Sequence, residues 1–154
     1  MEIGIGGAVT SLLILFVLVI LWTTRPRLNP HLKSNLTLPL GLEELKQELY
    51  ETERRTPNLI PGTEATIDFA NPSNPTKTDL VFMYVHGFSA SWRETAPVAE
   101  TLAKSFQANI LQCRLAGHGT GPEGMTCSAE DWLLSLERQA QIAGQLGDKI
   151  VVIA

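Results

Sequence analysis

Two stretches of this chain carry no polar face. Leu80–Val85 (LVFMYV) is apolar at every position, and Lys149–Ala154 (KIVVIA) is apolar after its lysine. A strand with one face in water alternates apolar and polar residues. A continuously apolar strand is buried on both faces, which is the situation of a strand in a parallel sheet covered by helices. The segments between and around these strands read as helices. Leu42–Arg55 (LEELKQELYETERR) places Leu42, Leu45, Leu49 and Tyr50 at i, i+3, i+7 and i+8, and Pro57 ends it. Glu51, four residues before Arg55, adds a favourable pair. Thr95–Phe106 has Pro97 in its first turn and Val98, Leu102 and Phe106 on one face. Ser128–Leu146 opens on Ser128 with Asp131 three later, a capping-box spacing, and Gly147 is its expected C-cap. Thr63–Phe69 and Asn109–Leu115 read as further strands, and ANPSNPTKTD is a turn-rich connection. The order β-turn-β-α-β-α-β predicts an α/β domain with a mostly parallel sheet and right-handed crossovers. A central parallel strand at KIVVIA calls for a covering helix, so further chain is expected after Ala154.

The N-terminal end reads differently. No charged residue occurs from Ile3 to Trp22. At ~1.5 Å per residue such a run approaches ~30 Å, the thickness of a bilayer core. Trp22 stands where an interfacial aromatic would. A cleaved signal peptide wants a basic start, a shorter apolar run and a small-x-small site, and none is evident. The expectation is a single transmembrane anchor over residues 3–22, a Pro-punctuated linker over 23–41 and a domain over 42–154. Arg25, Arg27 and Lys33 follow the run and no Lys or Arg precedes it, which leans the C-terminal side toward the cytoplasm. The membrane partner would be lipid around that helix.

Charge and cysteine usage exclude several functions. The net charge is −4, from 12 basic and 16 acidic residues, with no Lys/Arg cluster beyond the juxtamembrane one. Nucleic-acid binding has no electrostatic footprint. Cys113 and Cys127 lack Cys-x-x-Cys spacing and the three histidines lack a His-x-x-x-His pattern, so neither a metal nor a cofactor is expected. Asn35-Leu36-Thr37 is a glycosylation triplet, meaningful only in a secretory lumen. Gly119-Thr-Gly121-Pro-Glu-Gly124 spells a dinucleotide fingerprint, but Pro122 removes an N–H and the next helix opens only at Ser128.

The chemistry-bearing motif follows the first apolar strand. His86-Gly87-Phe88 stands at a strand's C-terminal end, where α/β folds gather their sites. Gly87 would let the backbone turn sharply, and the N–H groups beyond it can face a developing negative charge. HGFSAS after one strand, RLAGHG after the next and then a helix leading to KIVVIA resemble the α/β-hydrolase superfamily, within it the serine hydrolases of esterase, lipase and lysophospholipase type. The resemblance covers Leu42–Ala154. It implies the N-terminal half of an α/β-hydrolase fold behind the anchor. It implies that Phe88 supplies a backbone N–H to an oxyanion hole. It also implies that His86 and Gly87 are structural in that loop, and that Gly117-His118-Gly119 is a structural turn.

The family's nucleophile lies in Gly-x-Ser-x-Gly, followed by an acid and then a histidine. No Gly-x-Ser-x-Gly occurs in these residues. The expected function is a membrane-anchored serine hydrolase of carboxylic esters, acyl lipids among them, whose triad lies outside these residues, so that the chain alone is inactive. Ser89 and Ser91 neighbour His86 but have no carboxylate to orient a base. The alternatives are a short non-catalytic interaction module, and another reaction on the same fold such as peptidase, acyltransferase or haloalkane chemistry.

Overall fold

The computed structural model describes residues 5–24 and 37–154. They fall into two units, divided after Pro30, and each is described by itself. The glycosylation triplet, the three juxtamembrane cations and most of the 23–41 linker lie outside the described residues.

In the first unit, helix α1 spans Ile5–Thr24. Gly6, Gly7, Thr10 and Ser11 occupy its early turns, so the uninterrupted apolar stretch is Leu12–Trp22. At ~1.5 Å per residue that stretch covers about 16 Å, against ~30 Å of bilayer core. Among the described residues no helix is long and apolar enough to cross a membrane. The transmembrane anchor expected over residues 3–22 is thereby corrected. With it fall the single-pass placement and the cytoplasmic side derived from it. The hydroxyls at the two ends bond back to the helix, Ser11 to the Gly7 carbonyl at 3.0 Å and Thr24 to that of Ile20 at 2.7 Å.

The second unit is built on a four-stranded sheet. Its strands are β1 (Thr66–Asp68), β2 (Thr78–Tyr84), β3 (Asn109–Gln112) and β4 (Gly147–Ile153), in the order β1-β3-β2-β4. Strand β2 pairs in parallel with β3 and β4, whereas β1 runs antiparallel to β3. The sheet is therefore small and mixed. With the three α-helices of this unit it replaces the expected mostly parallel half of an α/β-hydrolase fold behind a membrane helix. The reason lies in the connection between β1 and β2. Residues 69–77 form turns and no helix. A parallel return needs a crossover of a dozen or more residues, so this short loop reverses the chain and β1 joins the far edge antiparallel.

Side chains of β2 alternate between two cores, as its unbroken apolar run requires. Val81 and Met83 join Ile67, Leu111 and Cys113 beneath α2 (Leu42–Arg54) and α4 (Ala129–Leu146), which contribute Leu45, Leu49, Ile142 and Leu146. Phe82 and Tyr84 join Ile110 on the opposite face, beneath α3 (Ala96–Ser105). The α3 surface facing the sheet is Ala99 and Ala103, not the stripe of large residues. Val98 and Phe106 are mostly exposed, and Leu102 is at the border. Small residues let this helix lie close on the strands, so packing distance overrides the apolar periodicity.

Ser128 and Asp131 form the capping box. The Ser128 Oγ accepts from the Asp131 N–H at 3.1 Å, and the Asp131 carboxylate accepts from the Ser128 N–H at 2.9 Å. The Ser128 hydroxyl also donates to the Asp131 carboxylate at 2.7 Å, and this bond first, then that of the Ser128 N–H, holds the Asp131 carboxyl below its usual range. Gly147 is the C-cap of α4, as expected, its N–H donating to the Ala143 carbonyl, but not in the left-handed conformation usual for such glycines. Its φ of −153° is extended, and it begins β4 directly. A glycine is needed there for approach, since a Cβ would lie 2.6 Å from the Val81 nitrogen. Asn109, fully buried, ties three segments together. Its Oδ1 accepts from the Ala70 N–H, and its Nδ2 donates to the carbonyls of Thr76 and Leu146.

Candidate functional site

The loops leaving β2 and β3 meet beyond the carboxyl ends of these neighbouring parallel strands. His86 follows β2 and is 3% exposed. Its Nδ1 lies 2.9 Å from the Gly87 carbonyl, and its Nε2 lies 3.1 Å from the Leu115 nitrogen beyond β3. A carbonyl only accepts and a backbone N–H only donates. The proton is therefore assigned to Nδ1, and Nε2 is the acceptor. Burial holds the imidazole below its ordinary pKa of 6.5, outweighing the Gly87 bond that favours the cation. With both nitrogens engaged by backbone, His86 clamps the two loops and has no free atom with which to activate Ser89 or Ser91.

The backbone strain of the His-Gly-Phe loop lies two residues past the glycine. Gly87 has no positive φ, and a Cβ there would meet open space; Ser89 is the left-handed residue, with φ 57°. The Ala90 N–H donates to the Gly87 carbonyl at 3.2 Å, closing a turn whose third residue takes the positive φ. Within that turn the Phe88 N–H donates to no described residue. The Phe88 side chain is 73% exposed and does not wall the neighbouring cleft.

That cleft has a volume of about 360 Å³. Ser89, Ala90, Ser91 and Glu94 line one side, and Gly117–Pro122 line the other. The second loop is shaped by its glycines. Gly117 has φ +74°, and a Cβ on it would collide with the Gly124 carbonyl oxygen. The stretch from Pro122 to Thr126 is a 3-10 turn, and α4 begins beyond it at Ala129. The loop is also sewn to the residues before β1. The Gly119 carbonyl accepts from the Ile60 N–H at 2.7 Å and from the Thr63 hydroxyl at 3.1 Å.

His118 sits at the centre of the second loop, 2% exposed. Its ring packs against His86, with centroids 4.7 Å apart, and against Trp132 of α4 at 5.5 Å. Phe88 lies edge-on to both His118 and Trp132, at 6.3 and 5.8 Å. Two loops and a helix thus share one aromatic cluster beside the Phe88 N–H. Among the described residues no group of three or more His, Cys, Asp and Glu side chains is placed to hold a metal ion. Cys113 is a free thiol in the core, and burial pushes its pKa well up, which leaves it unreactive.

The support beneath the site rests on residues that the motifs do not include. Arg114, just past β3, donates from Nε and Nη2 to the two carboxylate oxygens of Glu53 on α2. Its Nη1 reaches the His118 carbonyl at 3.2 Å. Glu53 is 4% exposed and also accepts from the Ala65 N–H at 3.0 Å. The sequence does carry a signal for this pair. Glu53 continues the i, i+4 spacing of Leu45 and Leu49, and a carboxylate on an apolar stripe calls for a buried partner. Trp132 and Asn109 carry no comparable signal.

No protein-family model and no curated protein sequence matches this chain. The esterase- and lipase-like character suggested by the motifs therefore has no support from known proteins.

Proposed function

We propose that residues 42–154 supply the oxyanion-stabilising half of an acyl-transfer site that hydrolyses carboxylic esters, as in the α/β-hydrolases whose motifs they resemble. The observation that carries this reading is the Phe88 N–H. It has no partner among the described residues, and it lies in a tight turn beyond the carboxyl end of a parallel strand, where the next two residues, Ser89 and Ala90, line a cleft. In the reaction a serine oxygen adds to the ester carbonyl and the carbonyl oxygen takes up negative charge, which the N–H stabilises. The C–O bond to the alcohol breaks, the alcohol leaves with a proton, and water cleaves the acyl-serine to release the acid. Within these 154 residues no Gly-x-Ser-x-Gly supplies that serine.

The purified chain is therefore expected to leave p-nitrophenyl butyrate unhydrolysed. The cellular gene product, captured through an antibody to residues 42–154, is expected to carry a fluorophosphonate-reactive serine. Phe88→Pro removes the N–H and should lower its ester turnover by about 100- to 1000-fold, the loss typical of one oxyanion donor. A captured gene product with no reactive serine would refute the proposal.

A second reading is an interaction module without catalysis. It is favoured by the apolar side chains left exposed around β4 and α3, namely Ile150, Val152, Val98 and Phe106. Stable capture of a partner by a gene product free of reactive serine would select it.

A further inference from the structure

The cleft beside the His-Gly-Phe loop carries an unbalanced charge. Glu94 is the only carboxylate among its lining residues, and no lysine or arginine lines it. The neighbouring cation is engaged elsewhere. The Arg93 guanidinium lies over the Trp92 ring at 5.8 Å and donates to the Gly62 carbonyl at 3.4 Å. Glu94 takes part in none of the ion pairs formed among the described residues. Its place on the cleft is fixed by the backbone. Trp92–Glu94 is a 3-10 turn, pinned by the Trp92 indole N–H on the Glu64 carbonyl at 2.8 Å and by the Glu94 N–H on the Ser91 carbonyl at 3.3 Å. The charge of Glu94 also reaches the loop itself, where it favours the cationic form of the buried His86.

The chemistry of a fitting ligand follows from this lining. A carboxylate in a concave site without a compensating cation sets a negative potential there, which repels anions and gathers cations. A metal ion would need further ligands, and no group of three His, Cys, Asp or Glu side chains is placed to supply them among the described residues. An organic cation needs only one counter-charge. A primary ammonium has three N–H donors and no acceptor. Glu94 offers it a carboxylate, and the Ser89 and Ser91 hydroxyl oxygens on the same side of the cleft are further acceptors. Ile60 and Met125 give the cleft apolar surface for the methylenes that carry the ammonium. Its volume of about 360 Å³ lies in the range of small-molecule sites.

We infer that this cleft is a binding site for a primary ammonium group, with Glu94 as its counter-ion. Resting on the acyl-transfer reading, the site prefers carboxylic esters that bear an ammonium group over neutral esters, and Glu94 is the residue that sets this preference.

The test is an NMR titration of the full 154-residue chain, read from the backbone amide resonances of residues 89–94 and 117–121. The probe is n-butylammonium chloride, and the control is 1-butanol, the same carbon chain with a neutral head. The ammonium is expected to shift these resonances and to saturate, whereas the alcohol leaves them in place. High salt should raise the concentration at half-saturation, because the attraction is screened. Glu94→Gln should raise it about fivefold, the upper end for an ion pair that solvent reaches. Glu130→Gln removes an equal charge from an exposed position outside the cleft and should leave it unchanged. Equal responses to ammonium and alcohol, or a response to neither, overturn the inference, and so does a Glu94→Gln variant that binds the ammonium as wild type does. The alcohol comparison needs no variant and decides by itself if Glu94→Gln does not fold. None of these readouts needs a serine nucleophile. Failure of the ester-hydrolysis reading therefore leaves the binding result standing, and a cleft indifferent to the ammonium leaves the oxyanion reading untouched.

Discussion

Replacing Glu53 by alanine should unseat the second loop of the site, Arg114–His118, from more than 60 residues away in sequence. The Arg114 and Glu53 side chains are only 11% and 5% exposed, and they meet through two hydrogen bonds. With Glu53 gone, the guanidinium is buried with only the Thr56 hydroxyl and the His118 carbonyl, and the Ala65 N–H loses its acceptor. Breaking a buried ion pair by removing one partner costs about 3–5 kcal/mol, and Glu53→Ala should fall in that range. The double variant Glu53→Leu/Arg114→Met removes both charges and leaves apolar side chains of similar size. It should be closer to wild type than either single change, because most of the single-variant penalty is the stranded charge. Urea unfolding followed by far-UV circular dichroism measures all four proteins of the cycle. A loss below about 1 kcal/mol for Glu53→Ala would be the level of an exposed pair and would refute the argument from burial. So would a double variant less stable than Glu53→Ala.

Three further outcomes are expected. Ser128→Ala removes the cap of α4 and should cost about 1 kcal/mol in the same unfolding assay, while Ser128→Asn should cost much less. Stability should fall on acidification through the titration of His86. Its folded pKa is lowered below 6.5 by burial, so the unfolded chain takes up the proton first. That contribution is fully present above pH 6.5 and is lost as the pH falls toward the lowered folded value; urea midpoints measured across that window in wild type and His86→Gln should converge at the acid end. Gly147→Ala forces a Cβ to within 2.6 Å of the Val81 backbone nitrogen. It should cost about 1–3 kcal/mol by overpacking, and amide exchange should accelerate in β4 and β2 together.

The elements of the second unit were legible because each is written in local chemistry. The Ser128–Asp131 box, the Leu45–Leu49 stripe and the doubly buried run of β2 all follow from spacing a few residues long. The His-Gly-Phe and Gly-His-Gly loops could likewise be placed at strand ends from the sequence. Other readings failed where spacing says nothing about distance. Val98 and Leu102 share an apolar face that is not the one α3 lays on the sheet, because Ala99 and Ala103, one position on, permit a closer approach; Phe106, past the helix end, does reach the ring of Phe82. The apolar run at the N-terminus has no charges, but small and hydroxylic residues shorten its continuous apolar part.

What the sequence determined by itself is therefore the set of helices and strands and the two loops that carry the site. Helix caps, periodicity and turn residues act over a few positions and are complete in the chain order. The antiparallel β1, the clamp of His86 on Leu115 and the Arg114–Glu53 pair were decided only by the tertiary structure. Each depends on which distant groups are brought together in a low-dielectric interior. There an unmatched donor, acceptor or charge is costly, and no spacing in the sequence reports whether its partner arrives.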